Sequence, residues 1–172
     1  MPDLATVNGF GPQQFSAAFG AVYEHSQWIA ERAFARRPFA SQTDLYLALF
    51  GVVQAASEDE KVALLNAHPE LAGQEAQSGT LTSASTHEQK GAGLNALSHD
   101  EFVELAELNR QYKTRFGFPY IISARLNSKA AIFGMLKARL TNTREQELQN
   151  SIAQVGEIAR LRVNDILNDP RN

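Results

Sequence analysis

Leu148-Gln-Asn-Ser-Ile152-Ala-Gln-Val155-Gly-Glu-Ile-Ala159-Arg-Leu-Arg162-Val-Asn-Asp-Ile166 repeats apolar side chains at four, three, four and then seven residues. That spacing returns every side chain to one face of an α-helix. The vacant place in the stripe, between Ala159 and Ile166, is filled by Arg162, so the sequence puts a cation on a core-facing side. Thr143 with Gln146 three residues later caps this helix, and Pro170 bounds it on the far side. A long helix with one apolar face needs other helices to cover it.

The rest of the chain supplies them. Pro12 suits a first helical position, with Phe15, Phe19 and Val22 following until a break at Glu24-His25-Ser26. Trp28, Ile29 and Ala33 form a second helix stopped by Pro38. Ser41 opens a third with Leu45, Leu49, Val52 and Val53, and Ser57 with Glu60 caps a fourth that must end by Pro69. Residues 72–84 read as a polar loop. Ser85 with Glu88, and Ser98 with Glu101, have the spacing of two more capping boxes, and Gly117 suits the left-handed residue that closes the second of these helices. Ser128 begins a short helix through Leu140. Phe118-Pro-Tyr-Ile-Ile-Ser-Ala124 is the one β-like run, and Pro119 argues for an extended connector over a central strand. The expectation is an all-α, single-domain bundle of roughly eight helices over residues 1–172, core about 10–167, with one extended connector near 118–124.

Composition narrows the function. At 172 residues and 44% hydrophobic content the chain can bury a core of its own. A net charge of −3 offers no concentrated basic face for nucleic acid or an anionic membrane. With no cysteine, thiolate nucleophiles, thiolate metal sites and disulfides are absent together, which suits a reducing compartment, and the cytoplasm is the expected location. No signal-peptide pattern opens the sequence, and no apolar run approaches the ~18 residues of a membrane span. A small solute is the expected partner.

Acid–base chemistry has one prepared place. His68-Pro69 follows a helix end, and Ser83-Ala84-Ser85-Thr86-His87-Glu88-Gln89 begins another helix about one helix length later. Each residue also has a plain structural explanation: His68 as a cation at a helix C-terminus, Ser85 and Glu88 as a capping box, Trp28 as core, Arg162 as a rim or paired guanidinium. Pro69 restricts the backbone of His68, and Gln89 sets a neutral amide beside Glu88. Tyr120, Ile121, Ile122, Ser123 and Ala124 are apolar enough to line a pocket while leaving extended backbone groups for a planar, amide-rich ligand. His25, His87 and His99 lack the spacing of metal ligands, so no metal site is expected.

These segments together, with Glu24-His-Ser-Gln-Trp-Ile-Ala-Glu-Arg32, Phe116-Gly-Phe-Pro-Tyr-Ile-Ile122 and Ile158-Ala-Arg-Leu-Arg162, resemble the 2-oxo-4-hydroxy-4-carboxy-5-ureidoimidazoline (OHCU) decarboxylase family from about Phe10 to Leu167. Gln27 stands where many members carry proline. The resemblance implies an all-helical carboxy-lyase without cofactors, a homodimer, that forms (S)-allantoin and carbon dioxide in urate breakdown. It assigns proton donation to His68 with Glu88 as its partner. Pro69, Ser85, Gln89, Tyr120, Ile121, Ile122, Ser123, Ala124 and Arg162 fall to the substrate site, with Trp28 a weaker match. A cyclic-ureide hydrolase and a non-enzymatic helical interaction module are the alternatives the residues leave open.

Overall fold

The computed structural model describes residues 3–168, which form ten α-helices and two 3₁₀ turns with no strand among them. They group into two compact units, residues up to Ala67 with those from Gly156 onward, and residues 68–155.

In the first unit, α1 (Leu4–Gly9) is capped by Asp3, and α2 (Pro12–Phe19) begins with its proline in the first turn. α3 (Trp28–Ala33) runs into a 3₁₀ turn (Phe34–Arg36), followed by α4 (Gln42–Ala55) and α5 (Glu58–Asn66). α3 packs on both α2 and α4. Phe15 is wholly buried at the centre of an aromatic cluster, with ring centroids 4.9 Å from Phe19, 5.8 Å from Phe34 and 5.9 Å from Phe39. Leu45, Leu49, Val53, Leu64 and Leu65 are buried on the predicted faces.

The second unit holds α6 (Gln74–Ser78), α7 (Ser83–Gly91), α8 (His99–Phe116), the extended connector, a 3₁₀ turn (Ala124–Leu126) and α9 (Lys129–Arg139). α10 (Arg144–Asn168) starts here, and the division between the units falls within it, after Val155. The predicted capping boxes at Ser57 and Ser98 form, and Gly117 takes φ +84° at the end of α8. Thr143 and Gln146 exchange the expected pair of bonds, 2.9 and 3.2 Å. Pro170 lies outside the described residues.

Two added helices and two boundaries differ from expectation. α1 and α6 raise the count from eight to ten: both are a turn or two long, too short to display a periodic apolar stripe. α2 ends at Phe19, before Val22. α7 starts at Ser83, inside the stretch expected to be loop, because Thr82 is its cap and accepts the Ser85 amide.

Replacing Phe15 with alanine removes the ring all three neighbours contact, and should lower the unfolding free energy by about 3–5 kcal/mol. A urea titration checks this; a loss under about 1 kcal/mol would mean that the cluster does not organise this core.

Candidate functional site

The changed start of α7 recasts its polar residues. Ser85, Glu88 and Gln89 stand at i, i+3 and i+4, and all three are buried. The three-residue spacing expected to serve a capping box instead makes one inward-facing polar stripe. Burying a carboxylate, a hydroxyl and an amide on one helix face is unfavourable for stability by itself, because each must replace its water with a specific partner. Such a stripe is what a polar ligand site requires.

Gln89 ties this helix to the segment that follows His68 and Pro69. Its Oε1 accepts from the Ala72 amide at 2.9 Å, and its Nε2 donates to the Glu70 carbonyl at 3.4 Å. From α8, Asn109 Nδ2 donates to the Leu71 carbonyl at 3.0 Å and Lys113 pairs with Glu70 at 3.1 Å. Three successive residues, 70 to 72, are therefore held by side chains from two helices. The turn is tight: a Cβ on Gly73 would stand 2.6 Å from Glu70 Cβ, so no other residue fits without displacement. His68 is buried, with Pro69 half-buried beside it in the chain.

Residues 119–123 of the connector form neither helix nor strand, Ser123 is extended, and Ala124 opens the 3₁₀ turn instead of continuing the expected extended run; Tyr120, Ile121, Ile122, Ser123 and Ala124 are all buried. α7 packs against the 3₁₀ turn that begins at Ala124, which brings the end of the connector to the helix bearing Ser85, Glu88 and Gln89. Side chains replace the ladder a strand would have had. Gln154 Oε1 accepts from the Ser123 amide at 2.9 Å, Arg139 Nη1 donates to the Ile121 carbonyl at 2.8 Å, and the Tyr120 hydroxyl donates to the Ile132 carbonyl at 3.2 Å. Burial pushes the Tyr120 hydroxyl up to about 12, so it remains a protonated donor at neutral pH. Ser123 Oγ is buried and has no hydrogen-bond partner among the described residues.

Two candidates belong to the first unit. Arg162 is buried as its place in the stripe predicted, with Nη2 3.3 Å from Glu24 Oε1 and Nη1 donating to the Val22 carbonyl at 3.3 Å. Trp28 is half-buried at the start of α3, with the Arg32 guanidinium 4.4 Å from its ring centre, an amphipathic arrangement at the surface rather than a core one. Arg160 is exposed and pairs with Glu157. Among the described residues no group of three or more histidines and carboxylates is placed to hold a metal ion.

The second unit also has a cleft of about 570 Å³ whose walls include Gln77, Thr86, Gln89, Lys90, His99 and Phe102. Of the candidates it takes in Gln89 alone, and it opens along the adjoining face of α7. We place the candidate site on the face of Ser85 and Glu88, because the polar side chains of the α7 stripe are buried there.

Sequence reasoning did not single out Gln154, Asn109, Arg139 or Glu147. Arg139 carried a usable signal: with Ile132 and Leu136 it completes an i, i+4, i+7 face of α9, the argument that identified Arg162. Replacing Gln89 with methionine removes both bonds to the 70–72 segment. Amide exchange at Ala72 should then accelerate at least tenfold, read by hydrogen–deuterium exchange, whereas unchanged protection would separate Gln89 from the holding of this loop.

The sequence model of the OHCU decarboxylase family matches residues 8–164. A 2-oxo-4-hydroxy-4-carboxy-5-ureidoimidazoline decarboxylase of Xenopus laevis is 39% identical over 164 residues, 95% of this chain and 94% of that protein. One of the same name from Mus musculus is 37% identical over 165 residues, 96% of this chain and 93% of its own length. Among solved structures, an (S)-allantoin synthase superposes with a TM-score of 0.76 at 25% identity, and the match covers 96% of this chain and 54% of that one.

Proposed function

Since the chain belongs to the OHCU decarboxylase family, we propose that it is a carboxy-lyase that converts 2-oxo-4-hydroxy-4-carboxy-5-ureidoimidazoline to (S)-allantoin and carbon dioxide in urate degradation. The observation that carries this reading on the residues themselves is the buried Ser85, Glu88 and Gln89 stripe on the helix that packs against the end of the 118–124 connector.

The chemistry asks little of the protein beyond position. In the substrate the departing carboxylate sits on a carbon that also bears a hydroxyl and adjoins a C=N bond. When the bond to the carboxylate breaks, its electron pair becomes a carbon–carbon double bond and the imine nitrogen takes up the displaced pair together with a proton from solvent. The substrate is thus its own electron sink, and the proposed reaction draws none from a cofactor. The enol that results gains a proton at the carbon bearing the ureido group and loses its hydroxyl proton, giving the ketone of allantoin. Delivery to one face decides handedness.

His68 is the proposed proton donor, with Glu88 as the residue that orients the imidazole. Pro69, Ser85, Gln89 and residues Tyr120 to Ala124 fall to the ring and ureido groups. A buried hydroxyl with unused acceptor capacity, as at Ser123, is the kind of group that a ureido N–H satisfies. Arg162, assigned by its family motif and its burial, is the proposed counter-ion for the substrate carboxylate, and Trp28 a lesser contributor. One catalytic domain over about 10–167, a homodimer, a cytoplasmic location and a small solute as partner, without nucleic acid or membrane, complete the proposal. Among the described residues no helix is long and apolar enough to cross a membrane.

Ultraviolet absorbance of the freshly generated intermediate, followed by chiral chromatography of the allantoin, tests the reading. His68→Ala should lower kcat about 10²–10⁴-fold and yield racemic product while the urea midpoint stays near the parent's. Parent rate and handedness in that variant would overturn the assignment. For Arg162→Met, with Glu24→Gln introduced alongside so that no carboxylate is stranded, affinity for an anionic substrate analogue should fall at least tenfold. Unchanged affinity would remove the counter-ion role.

A further inference from the structure

We infer that Arg139 is a positioning residue, held by Glu147, that fixes the 120–124 connector through the Ile121 carbonyl and so sets the shape of the proposed substrate site. The inference rests on the proposed decarboxylase reading.

The observation is a buried ionic cluster in the second unit that the proposed chemistry does not use. Arg139 and Glu147 are both buried, and Nε donates to Oε2 at 2.8 Å. Glu147 is wholly enclosed and accepts from four side chains: Arg139, the Tyr112 hydroxyl, Asn142 at 2.7 Å and Asn150 at 2.8 Å. Burial disfavours its charge, but these bonds outweigh that and hold its carboxyl below the ordinary value. The remaining nitrogens of Arg139 reach Ile121 O at 2.8 Å, Ser151 Oγ at 3.1 Å and Tyr112 Oη at 3.2 Å, and the guanidinium lies 4.8 Å from the Tyr120 ring centre.

A stability explanation alone fits poorly. Replacing a buried ion pair by packed apolar groups is often neutral or favourable, so such a pair is weak support for stability. What this pair supplies is direction. The Ile121 carbonyl belongs to extended backbone that no helix or sheet serves, and the planar fork of Arg139 reaches it while locked in angle by three other acceptors. Lysine could not replace it: an ammonium is a single point of charge and cannot span acceptors set around a plane. The connector is anchored a second time at Ser123 by Gln154, so its backbone is held on both sides of Ile122. Misplacing such a segment by about 1 Å is enough to cost on the order of 10² in kcat/KM.

The test uses the full chain with Arg139→Lys and, as a milder lesion that keeps both charges, Tyr112→Phe. In steady-state assays on freshly generated intermediate, Arg139→Lys should raise KM at least tenfold and weaken (S)-allantoin binding to match, with Tyr112→Phe two- to fivefold in the same direction. A residue that served stability alone would reduce the folded fraction, and therefore kcat, with KM and product affinity at parent values; that result overturns the inference. Should Arg139→Lys fail to fold, Tyr112→Phe decides by the same criterion. Backbone ¹³C shifts at residues 120–124 are read in parallel. A parent chain that leaves the intermediate's decay unaccelerated defeats the decarboxylase reading. In that event perturbed shifts in the variants would still support positioning of the connector, and unperturbed shifts would defeat it.

Discussion

A buried backbone carbonyl outside any helix or sheet must find a donor, and in this protein the carbonyl of Ile121 finds the guanidinium of Arg139. Much of the second unit answers that constraint. Pro119 and the β-branched residues after it keep the connector extended, which denies it helical hydrogen bonds. Without a neighbouring strand, side chains from α9 and α10 take over. Glu147 enters as counter-ion to the arginine, and Asn142, Asn150, Tyr112 and Ser151 enter because a buried carboxylate and guanidinium have several bonding positions to fill.

The segment after His68 and Pro69 follows the same logic. It is irregular and partly buried, and Gln89 and Asn109 act for its 70–72 backbone as Arg139 and Gln154 act for the connector. In each case an irregular piece that bears or adjoins candidate site residues is fastened by polar side chains from regular helices. The arrangement joins the accessibility of irregular backbone groups to the rigidity of helices, which suits a reaction that asks for orientation more than for reactive groups.

Legibility in the sequence followed the length of each pattern. The faces of α4 and α10 and the capping boxes at Ser57, Ser98 and Thr143 were readable because each needs only neighbours within a turn or two. Gly117 and Pro119 marked the end of α8 and the extended run after it for the same local reason. α1 and α6 were not readable, being too short to carry a stripe. The spacing of Ser85 and Glu88 was seen but misread, since three residues separate both a cap from its third helical position and two positions on one face. Thr82, one turn upstream, took the capping role and turned the same residues inward.

The sequence by itself determined that the chain is all-helical, where most helices begin and end, that Arg162 points to a core face, and, through its family motifs, which residues are candidates for chemistry. Those properties depend on interactions within a few residues, or on motifs that remain recognisable without coordinates. Only the tertiary structure decided that Gln89 reaches back to Ala72, that Arg139 and Glu147 meet beneath Ile121, and that the α7 stripe is buried. Each of these joins residues from different elements, and which donor serves which orphaned backbone group is fixed by how helices pack, a relation that no local periodicity encodes.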